Sequence, residues 1–258
     1  MKAALITGAS SGIGLELAHV MAKEKHNLVL VARSIDKLNE LAEELKQTHG
    51  IKVNTYKADL SNSEEIENLY QQTQDDDIEI SYLINNAGFG EYGNFIENDW
   101  KKLNSMMQLN MVSLVHLTSL YSKDMVSSKF GKIMNVASTA AFQPLPYFAV
   151  YAATKAFVLS FSEATASELK DHGITVTALC PGLTGTGFVE AANMENTKFL
   201  DKAKPGMATA EEVAEYGYEA MMKGKTVAVH GMLNSLMAQS SRFLPRDLLT
   251  TMAKKMQE

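Results

Sequence analysis

A single cysteine, Cys180, is all the thiol chemistry this sequence has, so no disulfide can form within the chain and no cysteine-based metal cluster is available. The six histidines are scattered, without HExxH or a comparable ligand spacing, and no metal site is expected. Basic charge is scarce too. With 24 Lys and Arg against 30 Asp and Glu, the net charge of -6 offers no basic face to displace counterions from nucleic acid. No apolar run is long enough to span a membrane. "MKAALITGAS" leads from Met1 straight into a strand-like segment too short for a signal peptide, so a cytoplasmic protein is expected. Repeats, linkers and low-complexity segments are missing as well. What remains is a chain of 258 residues, 46% hydrophobic and 21% charged, ordinary for one soluble globular domain with a substantial core.

Short apolar runs rich in β-branched residues alternate with longer segments at helical spacing, the rhythm of βαβ units and a parallel sheet. Strands are expected at 2–7, 28–32, 51–57, 80–85, 131–138, 174–180 and 225–231. The first helix reads from 12 to 26, with Ile13, Leu17, Val20 and Met21 inward, and the second carries a stripe of Ile35, Leu38, Leu41 and Leu45. Ser61 with Glu64, and Thr209 with Glu212, have capping-box spacing, the latter opening a helix that runs to about 223. Long helical segments fill 98–127 and 148–171. The fold class is therefore α/β: a doubly wound, Rossmann-like parallel sheet of about seven strands with helices on both faces, in a single domain 1–258. Residues 182–208, with glycines, a weak helical patch and no strand, suit a flap over a site. The apolar, mildly basic extension 231–258 is divided by Pro245 into two helical halves. It would pack on its own core or a sister subunit, or meet a membrane surface or partner.

Three motifs carry chemistry. "TGASSGIG" (7–14) joins the first strand to the first helix. Gly8 would permit a sharp turn, Gly12 a close approach of backbone to a pyrophosphate and Gly14 tight packing of helix on strand. Ser10, Ser11 and Ile13 complete a phosphate cradle at the positive end of the helix. Next, Arg33 stands at the end of the second strand, where an acidic residue would bind both ribose hydroxyls of NAD; a guanidinium there pairs with a 2′-phosphate and favours NADP(H) over NAD(H). Asp36, the nearest carboxylate, keeps NAD as the alternative. Finally, Tyr151 is the only one of nine tyrosines with a lysine four positions on, Lys155. On a helix the two share a face, and a cation beside a phenol favours the phenolate, lowering a pKa that is normally about 10.

These motifs together with "NNAG" (85–88), Asn110, Ser138 and "PGLTGT" (181–186) resemble the short-chain dehydrogenase/reductase family, in its compact one-domain branch, over nearly the whole chain. The resemblance implies that Tyr151 is the general acid/base, that Lys155 lowers its pKa and binds the nicotinamide ribose, and that Ser138 donates a hydrogen bond to the substrate oxygen. Asn110 would kink its helix locally and hold a proton-relaying water. Asp59 would reach the adenine amino group with Leu60 beside the ring, while Asn86, Ala87 and Gly88 lie along the adenosine ribose. Pro181, Gly182, Thr184 and Thr186 would flank the nicotinamide; Thr184 departs from the aliphatic residue of many relatives.

The expected activity is an NADP(H)-dependent carbonyl reductase, the rival being a catalytically idle NADP-sensing protein. The segments 139–150 and 187–208 should bound the substrate pocket. Phe142, Pro144, Leu145, Tyr147, Phe148 and Phe188 would make it apolar, with no obvious Arg or Lys to clamp an anion, so a small neutral or hydrophobic carbonyl or alcohol is expected. Relatives pair through the helices bearing Asn110 and Tyr151, which implies a homodimer or homotetramer.

Overall fold

The computed structural model describes residues 1–194, 200, 206–241 and 243–257, the side chain of Met256 apart. Among the described residues, seven parallel strands form the main sheet: β1 (Lys2–Thr7), β2 (Asn27–Ala32), β3 (Val53–Lys57), β4 (Glu79–Asn85), β5 (Gly131–Val136), β6 (Ile174–Cys180) and β9 (Val227–Val229). Their order across it is β3-β2-β1-β4-β5-β6-β9. Helices α1 (Gly12–Lys23), α2 (Ile35–His49), α3 (Ser63–Asp75), α4 (Trp100–Met107), α5 (Leu114–Ser128) and α6 (Ala149–Leu169) alternate with them, and Ala210–Met222 precedes the last strand. Several ends fall short of expectation: α1 stops at Lys23, and the third, fifth and last strands lose residues at their margins.

Both faces of the sheet are covered, which explains why its strands read as continuous apolar runs. Successive side chains alternate between two cores. Ala4, Ile6, Leu28 and Leu30 pack with Leu17, Met21, Leu38 and Leu45 of α1 and α2. Ala3, Leu5, Val29 and Val31 pack with Ile66 and Leu69 of α3 and Leu117 and Tyr121 of α5. Ile6 is wholly buried, and its truncation to Ala should cost about 2–5 kcal/mol.

Chain order reverses between β1, which runs on to β2 and β3, and β4, which runs on to β5 and β6. That switch point opens a crevice at the carboxyl ends of the strands, where doubly wound sheets bind ligands. One local feature follows the expected kink at Asn110, and two others differ from expectation. The segment 98–127 is α4, a π-helical turn at Gln108–Ser113 containing Asn110, and then α5. Asn62, not Ser61, caps α3, accepting from Glu64 N at 3.0 Å, because the helix begins at Ser63, one residue later than the capping-box spacing implied; the Ser61 hydroxyl donates to Asp59 at 2.7 Å. The flap does contain strand: β7 (Thr184–Gly185) pairs in parallel with β8 (Ala208–Thr209) at its base, while 195–199 and 201–205 lie outside the described residues. The Thr209–Glu212 capping box is present, with reciprocal bonds of 3.1 and 2.9 Å.

Candidate active site

A cavity of about 1430 Å³ runs along the carboxyl edge of the sheet. Every residue that the motifs and the resemblance assign to catalysis or cofactor binding lines it except Gly14 and Asn110, which lie just beneath its wall. At one end is the turn between β1 and α1. Gly8 has φ +66°, and a Cβ there would come 3.0 Å from the Cα of Ala87. At Gly14 a Cβ would fall 2.4 Å from the carbonyl oxygen of Gly8, a backbone clash that no rotamer relieves. Helix α1 begins without an acidic residue in its first turn, and the Ser11 side chain makes no capping bond. The positive end of the helix is therefore left uncompensated by the protein, as an anion site requires.

Arg33 is exposed on the cavity wall at the end of β2, and Asp36 lies in the first turn of α2. Asp59 lines the same end, accepting from both the backbone and the hydroxyl of Ser61. The Ser61 bond, with a smaller contribution from the Arg33 charge, holds its carboxyl below the usual carboxylate range. These groups fit a dinucleotide: glycine backbone and a helix terminus for the diphosphate, a carboxylate for an amino group and a guanidinium for a further phosphate.

Toward the middle of the cavity, Ser138 follows β5, and Tyr151 and Lys155 project from adjacent turns of α6. Burial pushes the Tyr151 phenol up to about 12, and the hydrogen bond with Ser138 acts in the opposite direction. Desolvation therefore dominates, and the lowering expected from the ammonium does not appear. Lys155 is itself drawn down to about 8 by burial, and its Nζ donates to the Val136 carbonyl at 2.7 Å. Asn110 braces this region from below. Its Nδ2 donates to Phe89 O at 3.0 Å and to Thr154 Oγ1 at 3.1 Å, while its Oδ1 accepts from Phe89 N at 3.2 Å.

Phe142, Leu145, Phe148 and Phe188 form the apolar wall, and the Tyr151 ring lies 5.4 and 5.3 Å from those of Phe148 and Phe188. Pro144 and Tyr147 do not line the cavity. The wall is also less free of cations than the sequence suggested. Lys101 and Lys102 of α4 border it, the latter paired with Glu91. Thr184 bonds Gly182 O at 3.0 Å, and the Thr186 hydroxyl accepts from Phe188 N at 3.2 Å, tying the 181–186 loop to the flap.

Two further contributors escaped the sequence reading. Thr7 Oγ1 accepts from the amides of Asn86 and Ala87, both at 2.9 Å, and donates to Ile84 O at 3.2 Å, holding the glycine turn against "NNAG". A lone threonine ending a strand carries no periodic signal. The C-terminal extension supplies Met232, Leu233 and Met237 to the cavity wall. Only its apolar character hinted at this.

Comparisons with known proteins agree with this architecture. The short chain dehydrogenase family model matches residues 2–197. Mouse 17-beta-hydroxysteroid dehydrogenase type 3 is 33% identical over 202 residues, covering 77% of this chain, which thereby spans 65% of that protein's length. The very-long-chain 3-oxoacyl-CoA reductase of mouse is 30% identical over 244 residues, 91% of this chain and 75% of that one. Among solved structures, a short-chain dehydrogenase from Sphingobium yanoikuyae in complex with NADPH superposes with a TM-score of 0.84 at 30% identity, covering 94% of each chain. With the crevice, the glycine turn and the matched stretch taken together, this chain belongs to the short-chain dehydrogenase family of oxidoreductases.

Proposed function

We propose that this protein is an NADP(H)-dependent reductase of a neutral, largely apolar ketone or aldehyde. The observation that carries the reading is the meeting of Ser138, Tyr151 and Lys155 on the wall of the cavity whose other end holds the glycine turn and Arg33. When bound, the nicotinamide supplies the hydride that reaches the carbonyl carbon. Ser138 Oγ donates a hydrogen bond to the carbonyl oxygen and fixes its position for attack. Tyr151 Oη passes its proton to that oxygen as negative charge develops there, so the product is a neutral alcohol. Lys155 offers its ammonium to the phenolate left behind, and Asn110 keeps the floor of the site rigid through Phe89 and Thr154.

Arg33 supports the choice of NADP(H), since its guanidinium is exposed beside Asp59 and can take a 2′-phosphate in a bidentate grip. The NADPH-bound relative makes the same cofactor natural here. Phe142, Phe148 and Phe188 favour an apolar substrate, as do relatives named for steroid and very-long-chain acyl chemistry. Helix α6 leaves Ala153, Ala156 and Phe157 exposed, a face suited to pairing two copies in a cytoplasmic homodimer or homotetramer.

The test is NADPH oxidation by the purified protein against small, aromatic and long-chain carbonyl compounds. Tyr151→Phe should abolish turnover while leaving NADPH affinity nearly unchanged, and Arg33→Ala should weaken NADPH far more than NADH. Turnover surviving in Tyr151→Phe would show that the wrong acid has been named. NADPH binding without turnover of any compound would favour the sensor.

A further inference from the structure

Fourteen large apolar side chains are exposed among the described residues, and eleven of them fall in two stretches. One is Phe95, Ile96 and Trp100, at the start of α4. The other runs through the last two helices, Met232–Ser240 and Arg246–Gln257, and includes Met232, Leu236, Phe243, Leu248 and Met252. Scattered exposed apolar groups are ordinary, but this concentration is not.

Both stretches border the same cavity. Met232 is 90% exposed and also lines the cavity, so the cavity reaches solvent there. Beside Trp100, Lys101 and Lys102 line it from the other side. The Tyr92 hydroxyl donates to Gln257 O at 3.4 Å, joining the connection that leads into α4 to the end of the last helix. Met232, Leu233 and Met237 therefore stand at the opening of the substrate cavity, and the other exposed apolar residues of the two stretches lie in the segments beside it.

On the C-terminal stretch, charge runs against the rest of the molecule. Residues 231–258 contain four basic and two acidic residues in a chain of net charge -6. Arg246 and Lys255 are exposed on the helix that presents Leu248 and Met252. The C-terminal stretch, apolar and flanked by these cations, matches an interface of acyl chains and anionic headgroups, while the stretch at Phe95 to Trp100, with Glu97 and Asp99 exposed, would add apolar contact alone. A second copy of the chain fits less well. A two-fold contact would set one basic tail against another and cover Met232, where the cavity opens. No helix among the described residues is long and apolar enough to cross a membrane, so the contact would be peripheral.

We propose that this rim docks on the surface of a membrane containing anionic lipid, so that an apolar substrate enters the cavity directly from the bilayer. The docking surface stands on its own observations; the route of entry rests on the reductase reading.

Trp100, the single tryptophan and 67% exposed, makes the test direct. The full chain is mixed with vesicles of phosphatidylcholine, with or without phosphatidylglycerol, and followed by flotation and by Trp100 emission. Flotation with the anionic vesicles and a blue shift are expected, both falling as salt is raised. The double substitution Arg246→Gln and Lys255→Gln should weaken binding by about fivefold per charge removed. Leu236→Ser with Phe243→Ser should abolish it while turnover of a short, water-soluble ketone is unchanged, since neither residue lines the cavity. Absence of flotation, binding untouched by these variants, or a self-association that they disperse would each overturn the proposal, the last in favour of a second copy. Vesicle binding without turnover of any carbonyl would remove the reductase reading alone. Turnover without vesicle binding would remove the docking surface alone.

Discussion

Lys155 Nζ stands 5.8 Å from the centre of the Tyr151 ring and gives a hydrogen bond to the carbonyl oxygen of Val136. The i, i+4 spacing does put phenol and ammonium on one face of α6, yet no hydrogen bond joins them, and burial governs both. Desolvation opposes whichever form is charged: it raises the phenol and lowers the lysine.

A spectroscopic titration follows from the phenol. With its pKa raised from 10.0 to about 12, Tyr151 keeps its proton through the whole neutral and mildly alkaline range. Subtracting the phenolate absorbance of Tyr151→Phe from that of the cofactor-free protein should leave no ionisation step below pH about 10. A proton held in this way suits delivery to a carbonyl oxygen. In the reverse direction the phenolate is required, so alcohol oxidation should climb with pH by up to about tenfold per unit. A step near neutrality in the difference titration would mean that Lys155 outweighs burial after all.

Lys155 carries a stability prediction of definite sign. Its pKa falls from 10.5 to about 8 in the folded chain, so between those values the unfolded chain binds more protons and stability rises with pH. Below about 8 the folded protein must hold a buried ammonium. Lys155→Met, measured by thermal unfolding without cofactor, should therefore be more stable than the parent at pH 7, with the advantage shrinking as pH passes from 8 towards 10.5, and should lose turnover. A lower Tm at pH 7 would show that the bond to Val136 outweighs the desolvation.

Much of this molecule is legible in its sequence because its central strands are buried on both faces and its helices on one. Leu28 to Val31 are all wholly buried and all apolar, so the strand declares itself without its neighbours. The Thr209–Glu212 capping box is equally plain, since both partners lie within one turn. Most of what escaped depends on residues far apart in the chain. The β7–β8 ladder pairs only two residues on each strand across the flap, too few for any periodic pattern. Ser61 has the spacing of a cap, but the helix begins one residue later and Asn62, an equally good capping residue, takes the role. Lys101 reaches the cavity from α4, a helix whose apolar stripe says nothing of what its polar face borders. The site was read from local motifs, and its walls come from tertiary packing.

Thr7 shows how far a buried hydroxyl can matter at a motif position to which the sequence assigns no role. It is 1% exposed, and one oxygen makes three hydrogen bonds, accepting from Asn86 N and Ala87 N and donating to Ile84 O. Thr7→Val keeps the shape of the side chain. Asn86 N still donates to Ile84 O at 3.1 Å, so Ala87 N is the group left without its acceptor. A buried group left unsatisfied costs about 1–3 kcal/mol, and water reaching the cavity wall should spare part of that at Ala87. We expect a loss of roughly 1–2 kcal/mol in denaturant unfolding. The Asn86 side chain, which donates to Thr7 O at 2.9 Å, should loosen with the turn and weaken NADPH binding. Thr7→Ser retains the hydroxyl and should recover most of both losses. If Thr7→Val matched the parent in stability and affinity, the "NNAG" turn would be held by its backbone geometry alone, and the hydroxyl would be incidental to the cradle.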